Sequence, residues 1–154
     1  MKVTVSNEAQ QILGKSELII ITECVDDVAL LIGQMIRMGY PEILDKHIPK
    51  AGSQRELSWG WTATIWLAYI LTEGDHRKVS VAQYIGGMRN TLSAITGQPI
   101  EVLDFDDDRL SHLLKHLSKR QVWQAVEHEL NLRTIEVYEL PTEVVRCDPT
   151  TVSG

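Results

Sequence analysis

Leu57-Ser58-Trp59-Gly60-Trp61-Thr62-Ala63-Thr64-Ile65-Trp66-Leu67-Ala68-Tyr69-Ile70-Leu71-Thr72-Glu73-Gly74 is the stretch whose reading decides the fold. No charge occurs from Leu57 to Thr72. Wound as a helix, it points apolar side chains in almost every direction, the pattern of a central helix covered on most sides. Ser58 or Leu57 starts it and Gly74 ends it. Three of the four tryptophans lie within eight residues here. Such a cluster also suits a base-stacking platform, but at this density inside an uncharged helix core packing is the better reading. With Ser58, Gly60, Thr62 and Thr64 inside it, the run falls short of the ~20 apolar residues of a membrane span.

Helices are legible on both sides. Upstream, Val28, Leu31, Ile32, Met35 and Met38 recur at helical spacing after Asp26-Asp27, and Gly39 sits where the chain leaves the helix. The acidic pair suits the positive end of the helix dipole. Pro41 opens a short helix through Ile43 and Leu44 to His47. Leu18 to Ile21 reads equally as a strand or an apolar linker, and residues 50–56 read as a loop.

Downstream, residues 81–94 put Ile85, Met88 and Leu92 on one face. Gly86-Gly87 inside it costs roughly 2 kcal/mol of helix propensity, which predicts a break or kink. Asp106 is a good N-cap, with Phe105 before it to staple onto Leu110. Leu110, Leu113, Leu114 and Leu117 then form one apolar stripe. Ser118 with Gln121 reads as a capping box that starts another helix, with Val122, Val126, Leu130 and Val137 on its buried face and Pro141 beyond its end. Val144 to Cys147 reads as a short strand. The fold expected is all-α, about five to six helices around one core, with that strand left over at the end.

A length of 154 residues gives room for one domain, and 44% hydrophobic with 23% charged residues is ordinary for a soluble globular chain. Fifteen basic against 21 acidic residues leave a net charge of −6. That balance counts against a generic nucleic-acid coat but leaves room for a local basic face. Cys24 and Cys147 are too far apart for a zinc knuckle or redox pair, and residues 1–10 carry no apolar signal core. The expectation is a cytoplasmic protein with two free thiols and no membrane partner.

Few constellations invite chemistry. Asp104, Asp106 and Asp108 have the alternate spacing of a calcium loop, but Arg109 and Lys115 stand where that loop needs Gly and Glu. Helix capping explains the same aspartates. Asp108, His112 and His116 stack on one helix face without the usual zinc partners, and His128 between Glu127 and Glu129 offers no convergent set. Glu73-Gly74-Asp75-His76-Arg77 brings acid, imidazole and guanidinium together at a helix end. Capping and local charge pairing is the default reading, a catalytic or anion-binding role the sharper one. The tight join before Ser118 resembles a helix-turn-helix. Lys119, Arg120, Gln121 and Gln124 stand at the start of the second helix, where base or phosphate contacts are made. Glu127, Glu129 and Glu136 on that helix, and a turn without glycine, count against it.

Read together, the stretches Val25-Asp26-Asp27-Val28, Leu57-Ser58-Trp59-Gly60-Trp61 and Leu71-Thr72-Glu73-Gly74-Asp75-His76-Arg77 resemble the amino-terminal region of bacterial insertion-sequence transposases with a DDE core. So do Thr96-Gly97-Gln98-Pro99, Leu103-Asp104-Phe105-Asp106-Asp107-Asp108-Arg109-Leu110 and Val137-Tyr138-Glu139-Leu140-Pro141. The resemblance runs from Glu23 onward. It implies a helical leader over residues 1–140, followed at 141–154 by the first strand of an RNase-H-like core. It makes Asp148, within Arg146-Cys147-Asp148-Pro149-Thr150-Thr151, the first catalytic carboxylate and a ligand of the magnesium that the complete enzyme uses. Pro149 departs from the family, which has a small hydroxyl residue there; proline removes a backbone donor and stiffens its neighbour.

Two-metal strand transfer needs several carboxylates around ions ~4 Å apart. The expectation is therefore either a truncated transposase or one half of a split reading frame, inert alone, whose partner would be the missing catalytic core or a second reading frame. Its helical part either positions or dimerises the enzyme on transposon-end DNA, with Lys46, Lys50 and Arg55 as further candidate contacts, or serves only as a protein-interaction or homodimerisation module. A decayed gene remnant is the third reading.

Overall fold

The structure, a computed structural model, describes residues 22–49 and 57–143. Among them the regular elements are all helical: α1 (Val28–Arg37), α2 (Tyr40–His47), α3 (Trp59–Glu73), α4 (Val81–Gly86), α5 (Arg89–Thr96), α6 (Asp107–Leu117) and α7 (Arg120–Val137). Short 3-10 turns at Lys78–Ser80 and Val102–Phe105 join them. None of the helices among the described residues is long and apolar enough to cross a membrane.

α3 is the centre, as its uncharged sequence requires. Ser58 caps it, its hydroxyl accepting the Trp61 N–H at 3.3 Å, and Gly74 ends it at φ +61°. Trp59, Ile65, Trp66, Ala68 and Tyr69 are buried, and so are Thr62 and Thr64. Those two hydroxyls donate to the Ser58 and Gly60 carbonyls at 2.9 and 2.8 Å, so no polar group is stranded by their burial. With Trp59 and Trp66 in the core, the run is no stacking platform.

Gly60 lets α2 come close. A β-carbon there would lie 2.0 Å from the Pro41 carbonyl oxygen, and the Gly60 N–H donates to Asp45 Oδ1 at 2.7 Å. α1 buries Val28, Ile32 and Met35 against this pair. Gly39, at φ +71°, turns the chain from α1 into α2.

The glycine pair does break the 81–94 helix. α4 ends at Gly86 and α5 starts at Arg89, with Met88 between them at φ −136°. This adds one helix to the five or six expected, while Ile85, Met88 and Leu92 all stay buried. Glu23 caps the new helix from a distant part of the chain. Its carboxylate accepts the Asn90 and Thr91 N–H groups at 3.1 and 2.7 Å, and the bonds to Thr91 first hold it below the ordinary carboxylate range.

At α6, Asp106 accepts the Arg109 N–H at 2.6 Å, with Phe105 and Leu110 both fully buried. Leu114 departs from the expected stripe. It is 45% exposed, because it lies on the outer edge of the face that Leu110 and Leu113 bury. The Ser118 capping box also fails to form. Ser118 has helical angles (φ −70°, ψ −13°) and completes α6, its N–H bonding the Leu114 carbonyl at 2.8 Å and its hydroxyl donating to Lys115 O at 3.0 Å. An N-cap needs extended backbone, and Lys119 supplies it (φ −72°, ψ 116°).

α7 buries Val126 and half-buries Val122, Leu130 and Val137, the face expected. Its end is closed by N–H groups of Glu139 and Leu140 bonding back to Glu136 and Ile135, with Glu139 left-handed at φ +50°. The expected strand from Val144 to Cys147, Asp148, Leu18 to Ile21 and the 50–56 loop lie outside the described residues.

Candidate nucleic-acid interface

Lys119, Arg120, Gln121 and Gln124 are all exposed, on the cap and first turns of α7. Position explains this: α7 turns its Val122–Val126–Leu130 face inward, which carries these four outward. Ser118 and Lys119 link α6 to α7 with negative φ throughout. The turn therefore needs no glycine, and its absence is no obstacle to a helix-turn-helix arrangement.

The acids on α7 are less of an obstacle than their number suggests. Glu129 points inward to α2, where its carboxylate meets Lys46 Nζ at 2.9 Å and His47 Nε2 at 2.7 Å. The Lys46 hydrogen bond, then that of His47, holds this carboxyl below its ordinary range. Glu136 pairs with Arg133 at 2.6 Å. Glu127 alone of the three carries no ion pair among the described residues. The same geometry occupies Lys46, which faces Glu129 instead of a phosphate; Lys50 and Arg55 lie outside the described residues.

Trp123 was not singled out by the sequence reading. It is 50% exposed and follows Arg120 by one helical step on the outer surface. Its spacing from Lys119 and Arg120, off the Val122–Val126–Leu130 stripe, is the signal that marks it. An exposed tryptophan between basic and amide side chains supplies the π-face that nucleic-acid-binding surfaces use. Behind this edge, His116 is half-buried against the Trp59 ring, 5.9 Å between centroids, and the Arg109 guanidinium lies 4.7 Å over the same ring. Burial first, then Lys119, His112 and Lys115, keeps the His116 imidazole below its ordinary value. It is thus neutral near pH 7 and adds no charge to the edge.

The remaining constellations have structural work. Asp104 is buried and accepts the Leu57 and Glu101 N–H groups at 3.2 and 3.0 Å; Asp106 caps α6; Asp108 and His112 are exposed. Among the described residues no three acid, histidine or cysteine side chains converge to hold a metal ion. The donor set for the magnesium that the resemblance implies is therefore not found among them. Glu73–Arg77 follows the capping reading in part: Gly74 ends α3, and Arg77 pairs with Asp75 at 3.0 Å. Against family models, curated protein sequences and solved structures, nothing matches the chain.

Proposed function

We propose that this chain is the amino-terminal helical part of an insertion-sequence DDE transposase, a cytoplasmic protein whose α6–α7 edge docks the enzyme on transposon-end DNA. One observation carries the reading. Lys119, Arg120, Gln121 and Gln124 stand exposed on the first turns of a helix whose other face is anchored through Glu129 to α2. Lysine and arginine there neutralise phosphates, the amides reach base edges, and the helix N-terminus adds its positive dipole. The net charge of −6 confines such contacts to this edge.

Asp148 would serve as the first carboxylate once it is joined to a complete core. Strand transfer needs further carboxylates beside it, so the 154 residues alone are expected not to cut DNA. Incubation with transposon-end DNA and Mg²⁺ or Mn²⁺ tests this; nicking that disappears in Asp148→Ala would overturn it.

A second reading, a protein-interaction or homodimerisation module, is favoured by the outer surface of α7 and its end, where Leu132, Ile135, Tyr138 and Leu140 are exposed. Gel shifts with inverted-repeat DNA over a salt range, run beside light scattering, separate the two. Salt-sensitive binding lost in the Lys119→Ala/Arg120→Ala double variant supports DNA docking. No binding, with a concentration-dependent dimer, supports the second reading.

A further inference from the structure

Trp123 stands apart from the other three tryptophans. Trp59 and Trp66 are buried and Trp61 packs partly buried against the core, whereas Trp123 is half-exposed and outside that core. Its ring meets no other aromatic ring among the described residues. The fold leaves this one indole face unused.

The cations beside it are also unspent. Of the described lysines and arginines, Lys46, Arg77, Lys78, Arg89 and Arg133 each meet a carboxylate. Lys115, Lys119 and Arg120 are exposed and meet none among the described residues. They share one corner: Lys115 stands in the last turn of α6, Lys119 caps α7 and Arg120 opens it. After burial, the charges of Lys119, His112 and Lys115 depress the His116 imidazole, which places both ammonium groups around that ring. No side chain caps α7 and its first turn holds no acid, so its leading N–H groups and dipole add to the same positive end.

Trp123 follows Arg120 and Lys119 by three and four residues, which puts the three on one face of α7. Long helical side chains lean toward the helix N-terminus, so the indole covers the turn that these cations open. Glu127, one turn further on, is exposed without an ion pair among the described residues, and it repels a phosphate there. A nucleotide chain is therefore held by its phosphates at the Lys115–Lys119–Arg120 corner, and the part that falls at Trp123 is an uncharged base. In a closed duplex the base faces are stacked on one another and only their edges are open to a protein. An indole needs an open face.

We infer that Trp123 stacks on an unpaired base, so that the α6–α7 edge binds a single-stranded or frayed DNA end in preference to closed duplex. The inference rests on DNA docking at this edge and adds the form of DNA that the edge selects. Lys115, Lys119 and Arg120 supply the attraction, which any DNA shares; Trp123 supplies the discrimination, which only an unpaired base can use.

Fluorescence-anisotropy titrations of the full chain test it, with three labelled forms of one short inverted-repeat sequence: the single strand, the blunt duplex, and the duplex with an unpaired end. Parent, Trp123→Phe and Trp123→Ala proteins are compared, with circular dichroism to confirm that each keeps the helical fold. The parent should bind the single strand and the frayed duplex more tightly than the blunt duplex. Trp123→Ala should lose about tenfold on the two forms with unpaired bases and leave blunt-duplex affinity unchanged, while Trp123→Phe keeps most of the preference. Blunt duplex bound as tightly as the single strand, or a Trp123→Ala loss that is absent or equal on all three forms, would overturn the stacking role. Salt-sensitive duplex binding lost in Lys119→Ala/Arg120→Ala would then leave docking itself standing. Binding to none of the three forms would overturn both. A Trp123→Ala effect on self-association alone, read by light scattering, would assign the residue to a protein contact and overturn the inference.

Discussion

The carbonyl oxygen of Pro41 occupies the space that a β-carbon on Gly60 would need, 2.0 Å from its ideal position. The contact is backbone against backbone, so no side chain can swing aside to relieve it. Gly60→Ala must push α2 off α3 and break the 2.7 Å bond from the Gly60 N–H to Asp45. The expected loss is more than about 3 kcal/mol, at the severe end for one residue. Asp45→Ala, which removes only the acceptor at the helix start, should cost about 1 kcal/mol. Urea denaturation followed by circular dichroism checks both; a Gly60→Ala protein as stable as the parent would refute the close α2–α3 approach.

Asp104 ties the segment before α3 to the turn before α6, through buried bonds from the Leu57 and Glu101 N–H groups. Asp104→Ala leaves both donors unpaired, an expected loss of about 1–3 kcal/mol. Asp104→Asn keeps one acceptor and should lose less. Equal melting temperatures for the two variants would contradict this division.

Acid should weaken the protein in a defined window. Glu23 and Glu129 have folded-state values depressed below the ordinary 4.5, Glu23 by Thr91 and Asn90, Glu129 by Lys46 and His47. Asp75, held down by Arg77, has the same sign. A depressed carboxyl stabilises fully above its unfolded value and loses that contribution as pH falls through its folded one. Melting temperature should therefore hold from neutral pH down to about pH 5 and drop below it. Glu23→Gln should soften that drop and speed hydrogen exchange at the Thr91 amide. An unchanged acid profile in the variant would remove Glu23 as the cap of α5.

Glu139 takes a left-handed backbone conformation at φ +50° to close α7. Glycine adopts that conformation without the β-carbon clash, so Glu139→Gly is expected to stabilise by about 1 kcal/mol. A loss of stability in thermal melts would mean that the left-handed turn does not persist.

What the sequence made legible follows the range of each signal. Ser58 and Gly74 bound α3, Asp106 caps α6, and Gly86-Gly87 breaks its helix, because each acts within a turn or two of itself. Glu23 capping α5 joins residues 67 apart, and Glu129 meeting Lys46 joins residues 83 apart; no periodicity encodes such pairs. Ser118 was misplaced for a related reason. Its local motif fits a helix start, but the preceding helix claims its N–H and hydroxyl first. At the candidate interface, Lys119, Arg120, Gln121 and Gln124 were legible as first-turn residues. That Glu129 and Glu136 are occupied elsewhere was not, since their partners are set by packing and local pairing.

The DNA-docking claim is tested most directly by the salt dependence of binding to inverted-repeat DNA, for the parent chain and the Lys119→Ala/Arg120→Ala variant. Each phosphate contact contributes about 0.9 to the slope of log affinity against log salt. The expected result is salt-sensitive binding by the parent and a slope shallower by roughly 1.8 in the variant. Identical slopes and affinities, or no binding by the parent at low salt, would contradict docking through the α6–α7 edge.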